Sequence, residues 1–200
     1  MEQLPFSQYV VAGALGLGLA ACSGFRVFVP LLAASIAYRT GFLTPAVGFV
    51  WLGSWPAVLT LAVATLAELA GYYLPWVDNV LDAITTPASF VAGTILMTSA
   101  LPQLDPTLRW TLGILVGGGT AGLVQSSTAL LRAGSSAATG GLANPVLATI
   151  ENTLALGGVV LTLLLPLLAA ALVLGQLLFI LSRLRRWRRR GLPVTEESFE

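Results

Sequence analysis

Three ionisable residues stand where the chain is otherwise apolar, and their types set the chemistry open to it. Arg26 lies in Cys22-Ser23-Gly24-Phe25-Arg26-Val27-Phe28-Val29-Pro30, Glu68 in the run from Pro56 to Tyr73, and Glu151 in the run from Leu142 to Leu181. A charge in the middle of a lipid-spanning helix costs about 2.5–3.5 kcal/mol on insertion scales, so such a residue faces the bundle interior and takes a partner. For Arg26 that partner is Glu68 or Glu151, the acids at comparable depth, or Asp78 if the helix ends lean inward. Two roles fit. The pair is structural and fixes helix register, as buried pairs often do. Otherwise it lines a pathway in which Arg26 attracts an anionic group and Glu68 or Glu151 carries a proton, because burial disfavours the charged form of a carboxylate.

Other chemistry is closed off. The chain has no histidine and no lysine, and its one cysteine is Cys22. A zinc site, an internal disulfide, a histidine-based triad and a lysine-bearing phosphate loop are therefore excluded. A lipid-modifying enzyme would need an activated nucleophile or a metal at the interface, and only isolated serines, threonines, Asp78 and Asp82 are on offer. The expectation is a protein that is not an enzyme and uses no cofactor. Asp78, Asn79 and Asp82 lie opposite Val77, Val80, Leu81 and Ile84 at helical spacing, which predicts a short amphipathic helix at the cytoplasmic surface. Two carboxylates without further clustered ligands make a solvated polar face, not a metal site, since hard cations want six or more oxygens.

Two apolar stretches carry the same punctuation. Ser23-Gly24 is followed by Pro30 and a helical run, and Gly140-Gly141-Leu142-Ala143-Asn144 by Pro145 and another. Proline suits the first turn of a helix, so both motifs read as helix restarts. Irregular backbone at membrane depth survives only inside protein or beside a water-filled cavity, and a half-helix N-terminus offers free amides. Paired breaks of this kind occur in small transporters built from internal repeats. The expected solute-binding set is Arg26, Gly24, Asn144 and Gly141, with Glu68 and Glu151 as ion-pair or proton-coupling residues. Gly113, Gly117-Gly118-Gly119 and Gly122 fit close helix packing instead.

These residues need elements to position them. Of 200 residues, 56% are apolar and 10% charged, far from the soluble average of about 25% charged. The fold class is an all-α polytopic membrane protein. A crossing takes about 20 apolar residues, and five regions qualify: Tyr9 to Tyr38, Pro56 to Tyr73, Pro87 to Leu104, Leu108 to Leu131 and Leu142 to Leu181. The last is too long for one crossing and divides into a piece of about Pro145 to Leu156 and a full span. This gives six transmembrane helices, or seven elements if the first region breaks around Cys22 to Pro30. Residues 1–182 form one transmembrane domain, and 183–200 a cytoplasmic arginine-rich segment with an acidic, disordered end. The first eight residues contain no basic group, so they do not read as a cleaved signal peptide.

Arg183, Arg185, Arg186, Arg188, Arg189 and Arg190 place the C-terminus in the cytoplasm. Counting six spans back puts Arg132 and the N-terminus on the same side and Arg39 and Arg109 outside. The Trp residues, at 51, 55, 76, 110 and 187, fall near span ends, as headgroup anchors do. The arginine tail reads first as a topology determinant that anchors to lipid headgroups, and otherwise as a docking segment for an anionic partner. Membrane lipid, a small solute and a second copy of the chain are the expected partners, with no nucleic acid.

Gly24-Phe25-Arg26-Val27-Phe28-Val29-Pro30, Tyr72-Tyr73-Leu74-Pro75-Trp76-Val77-Asp78-Asn79-Val80-Leu81-Asp82, Gly117 to Gln125 and Thr139 to Pro145 resemble the bacterial membrane proteins grouped as domain-of-unknown-function family 4126. The resemblance covers Leu15 to Leu181. It implies an integral inner-membrane protein with no established activity, and Arg26, Glu68, Asp78, Asp82 and Asn144 fall on its motifs. Many members carry an Asp-Lys pair before the proline matching Pro75, where this chain reads Gly71-Tyr72-Tyr73. They also tend to show a His and an Arg past the second aspartate, where this chain reads Ile84-Thr85-Thr86-Pro87. A lysine or histidine relay is thus not a requirement. The function implied is a small transporter or channel for an anionic solute; the alternative is a membrane scaffold whose buried charges are structural.

Overall fold

The structure is a computed structural model that describes residues 5–74 and 77–190. Among them there is no strand, and seven α-helices carry the fold: α1 (Phe6–Ser23), α2 (Phe28–Arg39), α3 (Trp55–Gly71), α4 (Val77–Ser99), α5 (Pro106–Thr139), α6 (Asn144–Leu164) and α7 (Pro166–Arg190). Helix starts follow local chemistry. Ser54 caps α3 by accepting from Ala57 N at 3.3 Å, with Pro56 behind it. Asp105 Oδ1 caps α5 by accepting from the amides of Thr107 and Leu108, with Pro106 opening the helix. Gly140 (φ 63°) and Gly141 (φ 89°) end α5 in the left-handed region, where a side chain is strained.

Helices α1, α4, α5 and α6 are long and apolar enough to cross a membrane, and the apolar helices α2, α3 and the stretch Pro166–Phe179 are shorter. The chain is thus an all-helical, multi-pass membrane protein. Helix α1 is central and packs on α2, α4, α5, α6 and α7. Its first turns lie beside the end of α2 and the segment after α4, around Tyr38, Leu43 and Pro102. The first apolar region is therefore a hairpin of two helices turning at Gly24–Val27, two pieces and not one. At the other end of the bundle lie this turn, the α3–α4 and α5–α6 connections, and the far half of α7, whose Phe179 faces the same cleft as Leu131 and Leu147.

The packing is inside-out relative to a soluble protein. The two largest fully buried side chains are Arg26 and Arg132, while Leu59, Val63, Leu66, Leu115, Leu130 and Leu164 are exposed. Lipid as the outer solvent explains both facts, because the surface that must be apolar is the outer one.

Three expectations need correction. The amphipathic segment at 77–84 is not a separate surface helix but the first turns of α4, which runs through Pro87 to Ser99. Its polar side points inward, with Asp78 4% exposed, while Val80 and Ile84 are each 60% exposed. The fourth span does not stop at Leu131, because Arg132 finds partners inside the bundle and α5 continues to Thr139. The first piece of the last region does not end near Leu156, because α6 runs on through Gly157 and Gly158 to Leu164, before Pro166. Gly158 sits where a Cβ would come within 2.8 Å of Cys22 Sγ, so it serves packing. The α4–α5 contact behaves as the glycine pattern predicts: a Cβ on Gly117 would collide with Gly93 O and Met97 Cβ, and one on Gly118 with Thr94 and Phe90. Gly119 is open, so not every glycine of the run is needed for contact.

Candidate functional site

Arg26 projects from the turn between α1 and α2 and is 0% exposed. Its Nη1 donates to Glu151 Oε2 at 2.8 Å and to Phe25 O at 3.0 Å, Nε donates to Asn152 Oδ1 at 2.5 Å, and Nη2 to Ala148 O at 3.2 Å. The turn is thereby fastened to α6. Of the possible partners, the direct one is Glu151. Glu68 does something else: its Oε1 accepts from Val27 N at 2.7 Å and its Oε2 from Phe28 N at 3.0 Å. It caps α2 from the side of α3. The amides expected to be open at this restart are therefore occupied by a carboxylate of the protein itself.

Glu151 Oε2 also accepts from Arg132 Nη2 of α5. One carboxylate oxygen thus bridges two buried guanidiniums from different parts of the bundle. Arg132 Nη1 donates to Asp82 Oδ1 of α4 at 2.6 Å. Both guanidiniums also contact the Tyr72 ring, the Arg26 guanidinium carbon 3.9 Å and that of Arg132 4.3 Å from its centroid. Such cation–π contacts gain strength when desolvated. Tyr72 Oη donates to Asp82 Oδ1 at 3.1 Å and shares a hydrogen bond with Thr85 Oγ1, which also accepts from Gln125 Nε2 at 3.1 Å. The pairs Arg26, Arg132 and Glu151, Asp82 balance in charge. Three buried polar atoms at this end have no partner among the described residues: Arg132 Nε, Ser135 Oγ and Asn144 Oδ1.

A second, smaller group lies nearer the end of the bundle. Asn144 Nδ2 donates to Asp78 Oδ2 at 2.6 Å and to Ser136 Oγ at 2.8 Å, tying the start of α6 to α4 and α5. Gly141 is adjacent, its would-be Cβ 3.8 Å from Asn144 Nδ2. Gly24 is packed on α5, where a Cβ would meet Ala121 O and Val124. The structure therefore brings Arg26 and Glu151 together, gathers Asp78 with Asn144, and places Glu68 one step away on the α2 amides. The side chain of Asn79 lies outside the described residues, as do Trp76, the side chains of 183–190 and the acidic end 191–200. Among the described residues no cluster of three or more His, Cys, Asp or Glu could hold a metal ion.

Sequence reasoning missed Arg132, Tyr72, Asn152, Thr85 and Gln125. Arg132 looked like a loop charge because it follows the apolar run to Leu131. The signal that could have found it is its balance: Glu151 and Asp82 need more positive charge than Arg26 supplies. Beside the network runs a cleft of about 760 Å³ between α1, α5, α6 and α7, with Glu151 on its wall.

A family model described as domain of unknown function (DUF4126) matches residues 14–186 of the chain. No curated protein and no solved structure matches it.

Proposed function

The chain belongs to this DUF4126 family of unknown function, and we propose that it is a small secondary carrier or channel for a solute bearing an anionic group, recognised by Arg26 and Arg132. The observation that carries the reading is the single Glu151 oxygen held by both guanidiniums. Paired arginines are matched to carboxylate and phosphate oxygens, and here a carboxylate of the protein fills that place. Protonation of Glu151, or its rotation away, would leave both arginines open to a guest anion. The guest would also find Arg132 Nε, a buried donor with no partner among the described residues. Glu151 is then the coupling group, and Tyr72 holds the two cations at fixed separation while the anion is exchanged.

All seven helices cross or enter the bilayer in this reading, with the arginine network at the end nearer the C-terminus. The end of the bundle that holds Arg132 and the C-terminal arginine-rich segment lie on the cytoplasmic side of a bacterial inner membrane, and Arg39 and Arg109 toward the outer side. With seven elements the N-terminus lies opposite the C-terminus, not beside it. The two restarts at Gly24–Val27 and Gly140–Ala143 would be the equivalent points of an internal repeat.

A scaffold role is favoured by a separate observation. Arg26 has Nε, Nη1 and Nη2 each bonded within the protein, and Glu68 covers the α2 amides, as in a purely architectural cluster. Uptake of isotope-labelled probes into proteoliposomes separates the two. With lactate, succinate and inorganic phosphate as probes, the carrier reading expects uptake of at least one, reduced tenfold or more in Arg132→Ala and Glu151→Gln. Inserted, folded protein that takes up no probe, while those substitutions only lower its melting temperature, leaves the scaffold.

A further inference from the structure

We propose that the cleft between α1, α5, α6 and α7 holds the hydrocarbon tail of a single-chain carboxylic acid that enters from the bilayer and delivers its head to Glu151. This deepens the carrier reading and rests on it. The cleft, at about 760 Å³, falls in the range of about 300–1,000 Å³ typical of small-molecule sites. It is open along one side: Leu131, Ile150, Leu172 and Phe179 line it and are each more than half exposed. A molecule already dissolved in the bilayer can therefore enter without crossing water.

The wall explains why the tail must be hydrocarbon. Its hydroxyls are used up locally: Ser127 donates to Leu123 O, Thr128 to Gln125 O, Thr153 to Thr149 O and Thr162 to Gly158 O, each on its own helix. The acidic residue on the wall is Glu151. Its Oε2 takes both arginines, and no hydrogen bond among the described residues reaches its Oε1. An occupant thus meets a mostly apolar trough, with the Gln176 amide on the α7 side and the Glu151 carboxylate, backed by two guanidiniums, on the α6 side.

The head is a carboxylic acid because that group can do both things the site asks. Its O–H donates to Glu151 Oε1. The proton then moves to Glu151, the O–H bond of the guest breaks as that of Glu151 forms, and the guest becomes the carboxylate. The two guanidiniums can now exchange one carboxylate for another of the same charge and shape, so no net charge enters the apolar interior. A phosphate monoester would bring extra negative charge, and an ammonium head would face the arginines.

The test uses full-length protein in lipid nanodiscs and dodecanoate carrying a photoactivatable diazirine in its chain. Labelling is expected on α6 and α7 residues of the cleft, competed by excess dodecanoate at concentrations where dodecanol and dodecyltrimethylammonium do not compete. Gly157→Trp should cut it tenfold or more, because Gly157 lines the cleft and a Cβ there meets nothing within 4 Å. Leu154→Trp, at an exposed position on the same wall, is the second variant should the first fold poorly. Equal competition by all three chains would show a groove that takes any lipid tail and overturn the proposal, as would stronger competition by the ammonium or undiminished labelling in both tryptophan variants. If labelling fails while Glu151-dependent uptake of small anions persists, the tail is wrong and the carrier stands. Specific labelling without any uptake keeps the site and removes the carrier.

Discussion

Removing the shared acceptor has a calculable consequence. In Glu151→Ala, Arg26 keeps Asn152 Oδ1 and the carbonyls of Phe25 and Ala148, and Arg132 keeps Asp82. What is lost is two charge-assisted bonds, each worth about 1.5–3 kcal/mol. Polar contacts in membrane bundles average only about 0.6 kcal/mol, because the unfolded helices in lipid find other partners. The lower bound is therefore the better guide, and the loss should be about 3 kcal/mol, the near edge of the range of about 3–5 kcal/mol for orphaning one side of a buried pair. Glu151→Gln keeps a carbonyl acceptor and should lose roughly half as much. The double-mutant cycle with Arg132→Ala isolates the pair and should give a coupling of about 1–2 kcal/mol. The assay is reversible denaturation of the full-length protein in bicelles, followed by circular dichroism. A coupling indistinguishable from zero, with Glu151→Ala as stable as the parent, would refute the bridged arrangement.

Three further perturbations probe separate parts of the account. Glu68→Ala uncovers the amides of Val27 and Phe28 and should cost about 1–2 kcal/mol, the loss of a good helix cap, read as a lower thermal unfolding midpoint. Glu68→Gln keeps an acceptor and should recover about half of that. Gly117→Val drives side-chain atoms into Gly93 O and Met97, and overpacking of this kind costs about 1–3 kcal/mol. Gly119→Ala meets open space and should stay within about 0.5 kcal/mol of the parent, so equal melting points for the two variants would deny the close α4–α5 contact. Tyr72→Leu removes the ring that both guanidiniums contact and should cost about 2 kcal/mol, as desolvated cation–π contacts do. Tyr72→Phe keeps the ring, loses the hydroxyl bonds and should cost about 1 kcal/mol; the reverse ranking in denaturant would mean the hydroxyl, not the ring, does the holding.

The helical, lipid-facing character of the chain was legible because it rests on long-range composition, and the restarts at Gly24 and Gly140 were legible because proline and glycine act locally. Arg26 and Glu151 could be expected to meet because each is too costly to leave alone in lipid. The rest depended on packing. Whether Asp78 and Asp82 faced water or protein could not be read from helical periodicity, which gives the angle between two faces but not which solvent lies outside. The same ambiguity hid Arg132: its position after Leu131 is compatible with a loop or with a buried turn of a longer helix, and only the arrival of Asp82 and Glu151 from other helices decides. Glu68 and Glu151 are indistinguishable by sequence depth, yet one caps a helix and the other bridges arginines, because the turn at Gly24–Val27 presents its amides to α3 and its side chain to α6. The cleft was invisible, since it depends on how α1, α5, α6 and α7 pack against one another.

The account turns on Glu151 giving up its two arginines when an anion arrives. Infrared difference spectroscopy of the full-length protein in nanodiscs, taken as parent minus Glu151→Gln and with carboxyl-isotope-labelled dodecanoate as the added anion, observes that group directly. The account predicts that the carboxylate band of Glu151 gives way to that of its protonated acid as the labelled carboxylate band shifts toward an arginine-bound position. A Glu151 carboxylate band that stays unchanged at saturating dodecanoate would contradict it.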